Sequence, residues 1–293
     1  MRGAKRPDIV QPAWDPNATE DAQEAWLAGA AGGVRRDGVV VVPNAIPDSR
    51  ISPLRQVLSA RRIGSDDADG RSFQPAPLRP RILVPLDGPF ADPAVFAPPP
   101  ALALARRLLG PETIIGEIGA IVLRPGDGPQ EARRTAVPLF GGLAVEGDVP
   151  PAALTMLAPL TDTGPGAGFP EYWPGSHRTR GGAPDAAPLQ PALKAGSVVM
   201  SDWRTLYRAG ANTSGATQLA LYVSFQRKWL VSLAGSDYKP GLRVPRSSLK
   251  RLPEAYRPLV SWALHENKTD DVTEFVHLWM GRATKRLRAL RGG

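Results

Sequence analysis

The sequence contains no cysteine and only three histidines among its 293 residues, and both shortages restrict its chemistry. Without cysteine, the chain has no disulfide, no thiolate metal site and no cysteine nucleophile. Missing thiols also fit a reducing compartment. No stretch approaches the ~18 uninterrupted apolar residues of a membrane-spanning helix, and no apolar region follows the basic residues near Met1. The sequence therefore predicts a cytoplasmic protein without a membrane partner.

Proline and glycine are abundant, with 32 and 30 residues, which is too many for a helix bundle and typical of short strands joined by loops. The 36 basic and 28 acidic residues leave a net charge of +8, which suits an anionic small molecule. Most basic residues are scattered, and the dense run at 282–291 is interpreted as a solvated basic helix. We therefore expect no nucleic-acid partner.

Hydrophobic periodicity divides the chain into a helical beginning, a β-rich centre and a helical end. Helices are predicted over 21–34, 48–58, 98–109, 256–264 and 272–290, and strands over 39–43 and 81–85. Between them, turn clusters separate the short apolar segments 113–123, 153–159, 197–201 and 219–225, a pattern typical of a β-sandwich or barrel. Neither a linker-like composition break nor a repeat interrupts the chain. The prediction is one domain over 1–293, with a helical part at 20–110, a β core at 113–230 and a helical extension at 253–291.

Several segments, in this order and spacing, resemble the phytanoyl-CoA dioxygenase family of Fe(II)/2-oxoglutarate oxygenases. They are the helix-to-strand opening at 36–46, the strand at 159–162, the Pro-Gly-Ser-His loop within 173–178, the strand at 195–202 and the Asn-Thr-Ser at 212–214. The resemblance implies a mainly β fold with flanking helices, namely a double-stranded β-helix, also called a cupin-like jelly roll.

The resemblance also locates the family's functional positions. A His-x-Asp pair and a distant His hold iron in that family, and an arginine binds the far carboxylate of 2-oxoglutarate. Spacing from Pro125, Gly126 and Gln130 places Arg133 at the first His and Thr135 at the Asp. Spacing from 212–214 places Tyr207 at the distal His and Thr217–Gln218 at the arginine. All four positions are therefore replaced.

These replacements cannot supply what ferrous iron needs. Arginine has five hydrogen-bond donors and no lone pair, and its fixed positive charge repels a divalent cation. His265 and His277 lie in the predicted C-terminal helices, and His177 occupies the Pro-Gly-Ser-His loop at a position that resembles a structural one. We therefore expect neither a metal site nor a bound cofactor.

The vacated space becomes a candidate ligand pocket, with Arg133 and Tyr207 as candidate catalytic residues. Its predicted members are Arg133, Arg134, Thr135, Asp202, Trp203, Tyr207 and Gln218. Strand alternation favours one of the two arginines facing the cavity, and Asp202 is the expected counterion of Arg133 because it ends the strand that leads to Tyr207. Tyr207 either fills the former metal space with its ring or donates a proton.

Three functions are compatible with this pattern. The first is a pseudoenzyme that pairs with an active relative, or with itself, as a partner or regulatory subunit. The second is a cofactor-independent isomerase, cyclase or lyase of specialised metabolism that reuses the cavity, with Arg133 holding an anion. The third is a binder of an anionic small molecule. An active Fe(II)/2-oxoglutarate dioxygenase with an unrecognised ligand set is the alternative against which the residues argue.

Overall fold

The computed structural model describes residues 8–60, 81–135, 139–140, 143–233 and 241–264. The α-helices are α1 (Glu20–Asp37), α2 (Asp48–Ala60), α3 (Pro93–Phe96), α4 (Pro99–Leu109), α5 (Trp229–Leu233) and α6 (Arg246–Arg251). The strands are β1 (Val39–Val42), β2 (Arg81–Leu83), β3 (Thr113–Leu123), β4 (Ala153–Pro159), β5 (Pro170–Tyr172), β6 (Val198–Asp202), β7 (Tyr207–Ala209) and β8 (Gln218–Arg227). Short 3-10 helices lie at Gly88–Ala91, Ala144–Gly147, Ser176–Arg178, Glu254–Leu259 and Ser261–Leu264.

A six-stranded antiparallel sheet in the order β1-β6-β4-β8-β3-β2 forms the centre of the molecule. Its longest pairing joins β3 to β8, from Thr113 opposite Arg227 to Leu123 opposite Gln218. Successive side chains of a strand point to opposite faces, so each strand contributes to two layers. Val40 and Val42 pack in the core beneath the helices, whereas Val39 and Val41 pack in a second cluster on the other face.

A second, two-stranded sheet of β5 and β7 covers that other face. Single backbone bridges extend it, because Arg133 pairs with Tyr207 on one side and Leu189 pairs with Tyr172 on the other. The side chains of Tyr172 and Leu193 join the inner-face residues of the large sheet in one cluster. The two facing antiparallel sheets confirm the predicted jelly-roll class, and helices flank them.

Most predicted elements are present, with corrections at their ends. Helix α1 begins at Glu20 behind the capping hydroxyl of Thr19 and continues to Asp37, three residues past the predicted end. The predicted helix over 256–264 consists of 3-10 turns, since Pro258 lacks the N–H that an α-helix needs there. The predicted loop residues 65–80, the helix 272–290 and the basic run 282–291 lie outside the described residues.

Among the described residues, no helix is long and apolar enough to cross a membrane.

Gly38 joins α1 to β1 at a crowded turn. Its φ of 75° is left-handed, and its N–H donates to the Val34 carbonyl at 2.8 Å, which ends the helix. A Cβ at this position would lie 2.5 Å from Nδ1 of His177. The Gly38 carbonyl accepts from the backbone of Asp202 and from the hydroxyl of Thr205, both at 2.8 Å. One glycine thus docks the helical layer on β6 and on the Pro-Gly-Ser-His loop.

We expect Gly38→Ala to destabilise the protein more than Gly126→Ala, as measured by urea denaturation. Both glycines have positive φ, 75° and 83°, so both variants lose about 1–2 kcal/mol from the left-handed backbone. A Cβ on Gly126 meets open space, whereas one on Gly38 must displace His177. Equal losses of unfolding free energy in the two variants would contradict the crowding at Gly38.

Candidate functional site

A cavity of about 70 Å³ lies between the two sheets. Apolar side chains from the large sheet form one wall, among them Ile121, Leu157 and Ala220. Polar groups enter from both sheets and from the chain that precedes residue 136; they are Gln130, Arg133, Thr135, Thr155, Tyr172, Ser201, Tyr207 and Tyr222. A mainly apolar lining with a few converging polar groups is usual for a small-molecule site, and the volume of about 70 Å³ restricts the ligand to a small one.

The structure brings Arg133, Thr135 and Tyr207 together around this cavity. Arg133 and Tyr207 exchange backbone hydrogen bonds, with N···O distances of 2.8 Å and 2.9 Å. Two residues further, the N–H of Thr135 donates to the carbonyl of Trp203 at 3.0 Å. Since alternate residues of an extended chain share a face, Arg133 and Thr135 both point inward beside Tyr207.

The guanidinium of Arg133 is held by neutral groups. Its Nη2 donates to Oε1 of Gln130 at 2.9 Å, and its Cζ lies 5.2 Å from the centre of the Tyr207 ring. Among the described residues, no carboxylate forms an ion pair with Arg133. Its positive charge therefore lies at a half-buried cavity wall with an amide and an aromatic face as its neighbours.

Asp202 does not pair with Arg133, contrary to the prediction. It pairs with Arg204 through two contacts, Nε to Oδ1 at 3.0 Å and Nη2 to Oδ2 at 2.7 Å. Strand alternation explains the difference, because Ser201 lines the inter-sheet cavity and the next side chain of β6 must point away from it. The pair is buried, with 2% of the Asp202 side chain and 12% of the Arg204 side chain exposed.

Three other predicted members also lie outside the cavity. Arg134 points away from Arg133 and donates to the carbonyls of Ser176 at 2.9 Å, Thr179 at 3.1 Å and Gly181 at 2.8 Å. Burial lowers the pKa of this guanidinium. Gln218 contacts the hydroxyl of Thr161, and the indole Nε1 of Trp203 is buried without a partner in the described chain. Arg134 and Gln218 thus link loops and strands.

Two tyrosines of the cavity were not predicted from the sequence. Tyr172 is buried beside Tyr207, with ring centroids 6.3 Å apart, and burial followed by the neighbouring Tyr207 raises its pKa above the ordinary value of 10.0. Its hydroxyl therefore stays protonated at neutral pH and can donate a hydrogen bond. Tyr222 lines the cavity from β8 and contacts Glu117. The alternation of side chains along 219–225 could have indicated that Tyr222 faces the cavity. Strand β5 is too short to show such alternation.

His177 lies on the opposite side of the large sheet from the cavity wall formed by Ser201. Its Nε2 lies 3.1 Å from the carbonyl of Arg35, and only 5% of the residue is exposed. Burial lowers the pKa of the imidazole below 6.5, which keeps it neutral at pH 7 with a proton on the nitrogen that faces the carbonyl. The geometry is that of a loop histidine bonded to backbone.

Arg133, Thr135 and Tyr207 do not form a set of ligands that fits iron. Arg133 offers only donors, and the hydroxyls of threonine and tyrosine are poor ligands for a ferrous ion. Within the described ranges, no group of three or more His, Asp or Glu side chains is arranged to hold a metal. No chemical step of this cavity is therefore assigned to iron.

No family model matches the sequence, and no curated protein matches it. Solved structures do resemble it. SnoN, the non-heme alpha ketoglutarate dependent epimerase from nogalamycin biosynthesis, aligns with a TM-score of 0.53 and 20% identity over 74% of this chain and 91% of its own. EvdO2 from Micromonospora carbonacea var. aurantiaca aligns with a TM-score of 0.52 and 18% identity over 74% of this chain and 94% of its own.

EvdMO1 aligns with a TM-score of 0.53 and 19% identity over 69% of this chain, which spans 50% of EvdMO1. Identities of 18–20% in these matches carry the fold alone. The chain therefore has a fold related to that of the non-heme alpha ketoglutarate dependent enzymes.

We expect Asp202→Asn to lower the free energy of unfolding by about 3 kcal/mol, because it leaves the buried guanidinium of Arg204 without its counterion. Chemical denaturation monitored by tryptophan fluorescence measures the loss. Asp162→Asn is the matched control, since Asp162 forms an exposed ion pair with Lys194. That variant should unfold at the wild-type midpoint. Wild-type stability of Asp202→Asn would show that Arg204 does not depend on this carboxylate.

Proposed function

We propose that this chain is a degenerate member of the phytanoyl-CoA dioxygenase family that works without iron or 2-oxoglutarate. Its inter-sheet cavity binds a small organic anion at Arg133, where the family would bind its metal. The observation that carries the proposal is the side-by-side position of Arg133 and Tyr207 at the cavity wall. This arrangement agrees with the motif spacing, which places both residues where the family has iron-binding histidines.

The surroundings of the Arg133 guanidinium favour a ligand-binding role over a purely structural one. Taking a cation even partly out of water without a counterion costs free energy, and the cost rises with burial. Arg204 has Asp202 as its counterion, and the donors of Arg134 are held by three carbonyls. Arg133 has one amide oxygen and a ring face among the described residues. A carboxylate ligand would supply the missing negative charge in a two-point contact.

The cavity has the groups for proton transfer or for stabilising negative charge. Arg133 would hold an anion or an oxyanion that develops during a reaction, and Tyr207 lies against it as a candidate acid. Tyr172 adds a protonated phenol to the same cavity. A cofactor-independent isomerase, cyclase or lyase of specialised metabolism is the reaction class that these groups suit. Simple binding of the anion requires Arg133 alone.

Exposed apolar side chains favour a second candidate, a pseudoenzyme that binds a protein partner. Leu139, Phe140, Leu143 and Val145 are all exposed between the Arg133 segment and β4, and 63% of Leu143 is accessible. Exposed apolar side chains concentrated in one segment are typical of a surface that binds a second copy of the chain or an active relative. An anion site and a docking surface are compatible in one protein.

The native protein should show no micromolar one-to-one binding of Fe(II) or 2-oxoglutarate in anaerobic calorimetric titrations. A fixed guanidinium and neutral oxygens cannot replace the imidazole and carboxylate donors of an iron site. The triple variant Arg133→His, Thr135→Asp and Tyr207→His is the positive control, since it restores the ligand types at the three positions. Tight stoichiometric Fe(II) binding by the native chain would refute the proposal.

Benzoate should bind the native protein more tightly than the isosteric neutral benzamide, and Arg133→Met should remove this preference. A charge-assisted hydrogen bond contributes about 1.5–3 kcal/mol, so we expect a loss of benzoate affinity of about tenfold or more. Ligand-observed NMR at increasing concentration measures both affinities. Arg133→Lys keeps the charge and should retain most of the preference.

Thermal unfolding separates a ligand site from a structural arginine. For a ligand site, Arg133→Met keeps its fold and its melting temperature close to the native value while it loses benzoate binding. Unfolding of this variant, together with equal affinities of the native protein for benzoate and benzamide, would assign Arg133 a structural role and favour the pseudoenzyme.

A further inference from the structure

A second cleft, of about 450 Å³, opens on the other side of the large sheet. The last turns of α1 and α4, the segment 147–151, the Pro-Gly-Ser-His loop and the ends of β6 and β8 surround it. Ser201 lines the inter-sheet cavity and Asp202 lines this cleft, so β6 separates the two spaces. Its volume lies within the range of about 300–1,000 Å³ that is usual for small-molecule sites.

We infer that this cleft, which we call the arginine cleft, binds a phosphate or diphosphate group. Its charged lining consists of Arg35, Arg178, Arg204, Arg227, Asp148 and Asp202. The four arginines and two aspartates leave a net charge of +2, which would balance the charge of a phosphate dianion. The inference is independent of the function proposed for the inter-sheet cavity.

Two of the four guanidiniums, those of Arg204 and Arg227, are held in place by contacts within the protein. Arg204 is neutralised by Asp202, and its Nη1 also donates to the carbonyls of Glu146 at 2.6 Å and Val149 at 2.9 Å. Arg227 is fixed by carbonyls, with Nε donating to Pro151 at 3.0 Å and Nη2 to Leu108 at 3.1 Å, so its orientation is set while its charge is not compensated.

Arg35 and Arg178 are exposed at the edge of the cleft. Among the described residues, neither side chain forms a hydrogen bond or an ion pair. A rigid guanidinium at the wall, with two adjustable ones at the rim, suits an anion that presents several oxygens, because each planar fork binds two oxygens.

The helix ends that face the cleft would oppose an anion if their carbonyls were open, since the C-terminus of a helix carries partial negative charge. Each is covered. The Val34 carbonyl accepts from the N–H of Gly38 at 2.8 Å, and the Arg35 carbonyl lies 3.1 Å from Nε2 of His177. The Leu108 carbonyl accepts from Arg227. The arginines therefore dominate the potential of the cleft.

Isothermal titration of the full chain with inorganic pyrophosphate tests the inference at low ionic strength. We expect saturable one-to-one binding that weakens by about tenfold or more in the double variant Arg35→Gln, Arg178→Gln, because two charge-assisted contacts are lost. The matched control is Arg106→Gln, Arg180→Gln, which removes the same net charge from exposed positions close in sequence to lining residues but not lining the cleft themselves. The control should bind as the native protein does.

Equal weakening in the two double variants would overturn the inference, because general surface charge would then explain the binding. Absence of saturable binding by the native chain would also overturn it, as would loss of pyrophosphate binding in Arg133→Met, which would assign the anion to the inter-sheet cavity.

Titration with ADP distinguishes two sources of the phosphate. Equal affinities for ADP and pyrophosphate support a free anion, and tighter ADP binding supports a phosphate carried by a larger organic molecule.

Discussion

The backbone bridge between Arg133 and Tyr207 is the contact on which the inter-sheet cavity depends. Its two hydrogen bonds, of 2.8 Å and 2.9 Å, add the chain around residue 133 to the small sheet and so close one wall of the cavity. Paired residues of antiparallel strands place their side chains on the same face, only ~5 Å apart at Cβ. The bridge therefore places a cation against an aromatic ring at the cavity wall.

Three arginines of this region illustrate how the same side chain takes different roles according to its neighbours. Arg204 is neutralised by a buried carboxylate, and Arg134 fastens a loop through carbonyls. The contacts of Arg133, an amide oxygen and a ring, stabilise its position without cancelling its charge. A ferrous site attracts anionic ligands through its metal, and a fixed guanidinium attracts the same ligands without one.

The long strands and the principal helices were predictable because each carries its own periodic signal. Segments 113–123 and 153–159 match β3 and β4 at both ends. The short strands β5 and β7 were missed, because three residues are too few to show alternation and their pairing depends on residues far away in the chain. Tyr172, the inner position of β5, was missed with that strand, whereas Tyr207 of β7 was found through motif spacing.

The sequence by itself determined the class of fold and which residues stand at the positions that the family resemblance singles out. Arg133, Thr135 and Tyr207 follow from motif spacing, and their lack of iron-ligand chemistry follows from their side chains. Only the tertiary structure determined which charged side chains form ion pairs. Asp202 lies close to Tyr207 in sequence, yet it pairs with Arg204, because the two-residue period of β6 directs it away from the cavity. The arginine cleft likewise exists only in the folded chain, since a compact fold brings together residues from Arg35 to Arg227.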